Sequence, residues 1–132
     1  MRVLLPPDLR AAILSAARAA HPKECCGLVE GAREAGQARV IALHPARNLS
    51  GLDTRFAIDP ADHIAAVKAA RGRGRAIIGC YHSHPDGRAA PSPADLAGAG
   101  EDGFLWLIAA GDEVAAFVYS GGSFRGCITG AV

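Results

Sequence analysis

The run Ala76-Ile77-Ile78-Gly79-Cys80-Tyr81 is apolar, punctuated by a glycine, and leads straight into His82-Ser83-His84. Such a run predicts a buried strand. Side chains on a strand alternate faces, so His82 and His84 project to one side and Ser83 to the other. After seven intervening residues, Ser92-Pro93-Ala94-Asp95 has the form of a helix start, with Ser at the cap and an acid three residues later. Taken alone, that tetrapeptide reads as a capping box. A first-turn carboxylate can nonetheless leave its helix toward a metal at the strand end. Two imidazoles and one carboxylate are enough to hold a catalytic zinc, which keeps its fourth position open for water.

The rest of the chain reads as short elements around that strand. Asp8 to Ala20 is a helix candidate, capped by Asp8, lined by Leu9, Ile13 and Ala17, and stopped at His21-Pro22. Cys26 to Gly31 and Ala38 to Leu43 form a hairpin pattern, and His44 to Thr54 reads as a polar loop. Phe56-Ala57-Ile58 is a minimal strand, and Asp59-Pro60-Ala61-Asp62 opens a helix that runs to Gly72. Leu105 to Ala110 and Val114 to Tyr119 are apolar strands joined by Gly111-Asp112-Glu113. Phe124 to Thr129 adds a last edge strand, a place where subunits could pair, although the oligomeric state stays open. The order α-β-β-α-β-α-β-β-β predicts one α/β (α+β) domain over residues 1–132, with a mixed, mainly antiparallel sheet flanked by helices.

Composition excludes several functions. Half of the 132 residues are hydrophobic and the net charge is +1, the profile of a soluble globular chain. That balance gives no electrostatic footprint for nucleic acid. Arg71-Gly72-Arg73-Gly74-Arg75 is short and reads as a solvated helix end. No uncharged stretch reaches the ~18–20 residues of a membrane span, and the N-terminal apolar run is too short for a signal peptide. The expected compartment is the cytoplasm, with thiols reduced. Cys25, Cys26, Cys80 and Cys127 form no C-x-x-C pair, and Cys80 reads as a buried core residue. His21, His44 and His63 stand apart from any cluster.

His82-x-His84, seven residues, then Ser92-x-x-Asp95 resembles the signature of the JAMM metallohydrolases, the catalytic branch of the MPN-domain family. Pro22-Lys23-Glu24-Cys25-Cys26-Gly27-Leu28 is similar to the family's upstream Glu context, and Asn48 and Arg55-Phe56-Ala57-Ile58-Asp59-Pro60 are similar to its small bacterial members. Cys80 departs from the bulky aromatic that many relatives carry two residues before the first His. The resemblance implies the MPN/JAMM (cytidine-deaminase-like) architecture and a Zn2+ held by His82, His84 and Asp95. It implies Glu24 as general base and Ser92 as an oxyanion donor. It also implies hydrolysis of a peptide, isopeptide or acyl-cysteine bond after the C-terminal Gly-Gly of a ubiquitin-like protein. At this chain length the expected substrate is a sulfur carrier.

Two other readings share part of the motif. RadC-like proteins of DNA metabolism carry a similar His-x-His and Ser-x-x-Asp run, but this chain lacks a DNA-binding charge pattern. A non-catalytic MPN scaffold typically loses ligands, whereas all five positions are filled here. A zinc deaminase would need His-x-Glu and Pro-Cys-x-x-Cys, and neither is present.

Overall fold

The structure, a computed structural model, describes residues 1–131. The elements run β1 (Arg2–Leu4), α1 (Pro7–Ala20), β2 (Cys26–Glu34), β3 (Gln37–Ala46), α2 (Pro60–Gly72), β4 (Ala76–Ser83), α3 (Pro93–Gly98), β5 (Phe104–Ala110), β6 (Glu113–Ser120) and β7 (Ser123–Gly130). The strands form a closed sheet in the order β1-β3-β2-β4-β5-β6-β7. Four pairings are antiparallel, and three (β1 with β3, β1 with β7, β4 with β5) are parallel. The mixed, mainly antiparallel α/β reading therefore holds.

Four expectations change. β1 was not foreseen, and it pairs with both β3 and β7. The stretch Phe124 to Thr129 is consequently an inner strand rather than a free edge, and its ladder is satisfied within the chain. Phe56-Ala57-Ile58 is no strand: only an isolated bridge joins Asn48 and Ile58. α1 begins at Pro7, and Asp8 makes no capping bond, because two successive prolines already fix the backbone of the first turn.

β2, β4 and β5 are covered on both faces, which explains their near-continuous apolar runs. Val29, Tyr81 and Leu107 join the core beneath α1, with Val3, Ile13 and Leu105. Leu28, Cys80 and Trp106 face the opposite way and pack with Ala66 of α2. Two glycines permit this density. A Cβ on Gly79 would lie 2.2 Å from the Leu105 carbonyl oxygen, and one on Gly27 would lie 2.3 Å from the Tyr81 ring.

The basic stretch after α2 is not simply solvated. Glu30 of β2 is fully buried and accepts hydrogen bonds from Arg73, from Arg75 Nε at 2.6 Å and from His44 Nε2 at 2.8 Å. A buried carboxylate demands charge partners, and these cations supply them. No helix among the described residues is long and apolar enough to cross a membrane.

Candidate functional site

β4 delivers its imidazoles as strand alternation requires. His82 is completely buried opposite Ile108 of β5, on the same face as Cys80 and Trp106. His84 lies one residue past the strand, and its N–H donates to the Ala109 carbonyl at 2.8 Å. The two Nε2 atoms are 3.0 Å apart. Between them stands the Asp95 carboxylate, with Oδ2 at 3.1 Å from His82 Nε2 and 3.0 Å from His84 Nε2.

Asp95 reaches this point because the capping box forms. Ser92 Oγ accepts the Asp95 N–H at 3.0 Å, and Asp95 Oδ2 accepts the Ser92 N–H at 2.9 Å. The carboxylate that closes the cap is the one that meets both histidines, so the cap and the convergence on the imidazoles are one arrangement.

Glu24 enters from the segment before β2. It is pinned to β4 by a pair of bonds: the Cys25 N–H donates to Ser83 Oγ at 2.8 Å, and the Ser83 N–H donates to the Cys25 carbonyl at 3.2 Å. Asn48 Nδ2 donates to the Glu24 carbonyl at 3.0 Å. A Glu24 carboxylate oxygen and one nitrogen from each of His82 and His84 all lie within 4.8 Å of one another. Ser83 and Asn48 were not singled out as positioning groups from sequence. Ser83, facing away from the imidazoles, carried the signal in its alternation. Phe56, which stacks on His82 with ring centroids 4.3 Å apart, carried none as a member of the site.

Charge is finely divided here. Burial lifts the Glu24 carboxyl from 4.5 to about 7, opposed by His84 and aided by the nearby Asp95 and Asp86 carboxylates. For Asp95, burial would raise the pKa, but hydrogen bonds from His82 and His84 outweigh it and hold the group well below the carboxylate range. Burial likewise lowers both imidazoles. In His82 burial wins, whereas in His84 the bonds to Asp95 and the Arg88 carbonyl overcome it and the pKa rises.

The donor set fits a small divalent cation. Tetrahedral bonds of about 2.0–2.1 Å to nitrogen or oxygen place neighbouring ligand atoms about 3.3 Å apart, close to the triangle formed by His82, His84 and Asp95. His84 Nδ1 donates to the Arg88 carbonyl at 2.7 Å, so Nε2 is the nitrogen that would face a cation, once the proton it shares with Asp95 is given up. Glu24 Oε1 is buried without a partner. A Glu24 oxygen so close to both imidazoles, with no donor of its own, could join the ligands of a cation or take a proton from a water held among them.

The site opens into a cleft lined by Pro22, Glu24, Thr54, His84, Arg88 and Ser92. A second, apolar cavity lies behind it, bounded by Phe56, Cys80, Asp95 and Trp106. Cys80 packs in the core with Leu28, and burial pushes its thiol far above its ordinary value. His44 is engaged by Glu30.

Comparison with known proteins places the chain in a family. Residues 6–120 match the family model described as prokaryotic homologs of the JAB domain. A desampylase of Haloferax volcanii is 32% identical over 130 residues, covering 94% of this chain and 92% of that protein. A "Probable TtuB-protein conjugate cleaving protease" of Thermus thermophilus is 40% identical over 107 residues, covering 74% of this chain and 70% of the relative. The solution structure of a Desulfitobacterium hafniense protein superposes with a TM-score of 0.88 at 28% identity, covering 100% of this chain and 93% of the other.

Proposed function

This chain belongs to the prokaryotic homologs of the JAB domain, and on that premise we propose that it is a zinc-dependent hydrolase of ubiquitin-like protein conjugates. The bond cut follows the C-terminal Gly-Gly of a ubiquitin-like sulfur carrier. Membership of this family, with the JAMM-type motif in place, makes the chain a hydrolase of the isopeptidase kind. One observation carries the finer reading. Two imidazole nitrogens and a carboxylate oxygen converge within 3.1 Å, beside a buried carboxylate that has no partner.

His82, His84 and Asp95 would hold the metal. When bound there, zinc supplies Lewis acidity and lowers the pKa of water toward ~7. Glu24 takes the proton of the attacking water and returns it to the leaving nitrogen or sulfur. In the metal-free site burial raises the pKa of Glu24 to about 7. Ser92 Oγ accepts the Asp95 N–H, so its own O–H remains free to donate to the developing oxyanion. A Gly-Gly tail suits a site whose imidazoles are buried at the end of β4, because backbone without side chains approaches them closely. Four free thiols fit a reducing compartment and support placing the protein in the cytoplasm.

The test is metal analysis of protein purified without added metal, alongside Asp95→Ala, followed by incubation with a Gly-Gly-tailed carrier bearing a C-terminal extension. About one zinc per wild-type chain, lost in the variant, with cleavage after Gly-Gly, is the expected result. Zinc without cleavage rejects the substrate. Failure of the wild type to take up zinc after reconstitution rejects the catalytic reading.

A further inference from the structure

The two histidines of the site are held in different ways. His84 follows the common pattern for a ligating imidazole, in which the nitrogen away from the metal donates to a carbonyl, here that of Arg88. His82 does not. Its Nδ1 is buried and has no hydrogen-bond partner among the described residues. The ring is instead enclosed by aromatic faces and edges. Phe56 lies over it at 4.3 Å with the planes 24° apart, and Trp106 meets it edge-on at 5.6 Å and 88°. Phe56 and Trp106 also contact each other edge-to-face at 5.8 Å, so the pair forms a corner into which the imidazole fits.

Trp106 is a rigid part of this corner, since it comes from β5, the neighbour of β4. Phe56 comes from the irregular segment between β3 and α2, whose geometry must be fixed by other means. Asn48 fixes it. Its Oδ1 accepts the N–H groups of Ser50 and Ala57, each at 2.9 Å, and the Leu49 N–H donates to the Ala57 carbonyl at 2.7 Å. The Nδ2 of the same side chain holds the Glu24 carbonyl. One amide thus ties together the backbone next to Phe56 and the backbone of Glu24.

We propose that Phe56 is a positioning residue for the metal centre: its flat ring sets the plane of His82 in place of the missing hydrogen bond, and Asn48 keeps that ring in register with Glu24. The inference rests on His82 being a metal ligand. It differs from a simple filling role for Phe56 in one respect. An aliphatic side chain of similar bulk fills the space beside Leu28 and Cys80 but presents no flat face to the imidazole, so the ring can rotate away from the direction that Nε2 needs.

The experiment measures zinc affinity directly, by competition with a chromogenic chelator, on metal-stripped wild type, Phe56→Leu, Phe56→Tyr and His82→Ala. Unfolding temperatures of the stripped proteins are recorded in parallel. Phe56→Leu is expected to bind zinc about 10–100-fold more weakly, the range seen when an orienting partner of a ligand is removed. Phe56→Tyr keeps the flat face and wild-type affinity, and the stripped Leu and Tyr variants unfold at similar temperatures. If Phe56→Leu binds zinc like the wild type while His82→Ala does not, the positioning role is wrong and the ligand assignment stands. If Tyr and Leu variants lose affinity equally, Phe56 is only filler and the inference falls. If His82→Ala also binds like the wild type, the ligand assignment fails and takes the inference with it.

Discussion

Glu30→Gln isolates the largest charge burial away from the site. Glu30 has no exposed surface, yet its carboxyl is lowered from 4.5 to about 2, first by hydrogen bonds from Arg73, then by those from His44 and Arg75, against the opposing effect of burial. The partners come from three places: His44 on β3, Arg73 at the end of α2 and Arg75 just before β4. Hydrogen bonds to charged groups contribute about 1.5–3 kcal/mol each. The substitution removes the charge but leaves partners that can turn to water, since the Arg73 and Arg75 side chains are 45% and 33% exposed. The loss therefore falls below the ~3–5 kcal/mol of a stranded buried charge, at about 2–3 kcal/mol. Unfolding entropy of about 2.1 cal/mol/K per residue converts this, for a chain of this length, to a fall of roughly 7–11 °C in Tm. The pH dependence has a definite sign. A carboxyl whose pKa is lower in the folded state stabilises fully above about 4.5, and that stabilisation drains away as pH falls toward 2. Thermal and urea unfolding of both proteins at pH 7 and pH 3 provide the assay. Zinc content should not change, because Glu30 pairs with Ile77 at the far end of β4 from His82. A Tm within experimental error of wild type at pH 7, or a deficit just as large at pH 3, would refute the reasoning.

Three further outcomes follow from the site. Gly27→Ala drives a methyl to 2.3 Å from the Tyr81 ring, next to His82, and should cost about 1–3 kcal/mol in urea unfolding; an unchanged midpoint would mean that Tyr81 swings aside freely. Glu24→Gln should keep zinc and lose turnover while raising the Tm of metal-stripped protein. A carboxyl raised to about 7 penalises folding progressively above pH 4.5 and fully above 7, so the gain should be present at pH 8 and absent at pH 4, and a pH-independent gain would count against burial as its cause. Ser92→Gly should retain stability to within a few tenths of a kcal/mol, since glycine is tolerated at a helix cap, whereas Ser92→Ala should lose about 0.5–2 kcal/mol. Both should lower kcat by roughly 10²–10³-fold if the hydroxyl stabilises the oxyanion, and wild-type kcat in Ser92→Gly would remove that role.

What was legible in the sequence had short-range causes. Alternation along β4 is a property of a single strand, so His82 and His84 could be placed on one face without knowing the fold. The Ser92–Asp95 cap is closed within four residues, so it too could be read directly, together with its carboxylate. Glu24 was reached only through the family resemblance. What brings it to β4 is its neighbour's bond to Ser83, 58 residues from Cys25, which no local pattern encodes. β1 was invisible for a related reason. Three residues carry too little periodicity to announce a strand, and β1 exists because β3 and β7 offer ladders on both sides. The same closure turned an expected edge into an inner strand. Arg73 and Arg75 read as solvated cations because their partner lies 43 and 45 residues away on a strand whose apolar neighbours gave no sign of a buried charge.

Phe56 shows why the orienting residues were the hardest to see. Its tripeptide has strand-like composition, and propensity favoured a strand where the chain makes only one bridge. The aromatic ring serves the site through an imidazole that is 26 positions away in the sequence and stacked against it in space. The candidate ligands must converge on one point, and local spacing on rigid elements achieves this. The groups that hold those ligands need only reach them, and they arrive from any segment that closes over the strand end. Spacing therefore predicts which side chains converge, while the packing of the segment from Asn48 to Ile58 decides what closes over them.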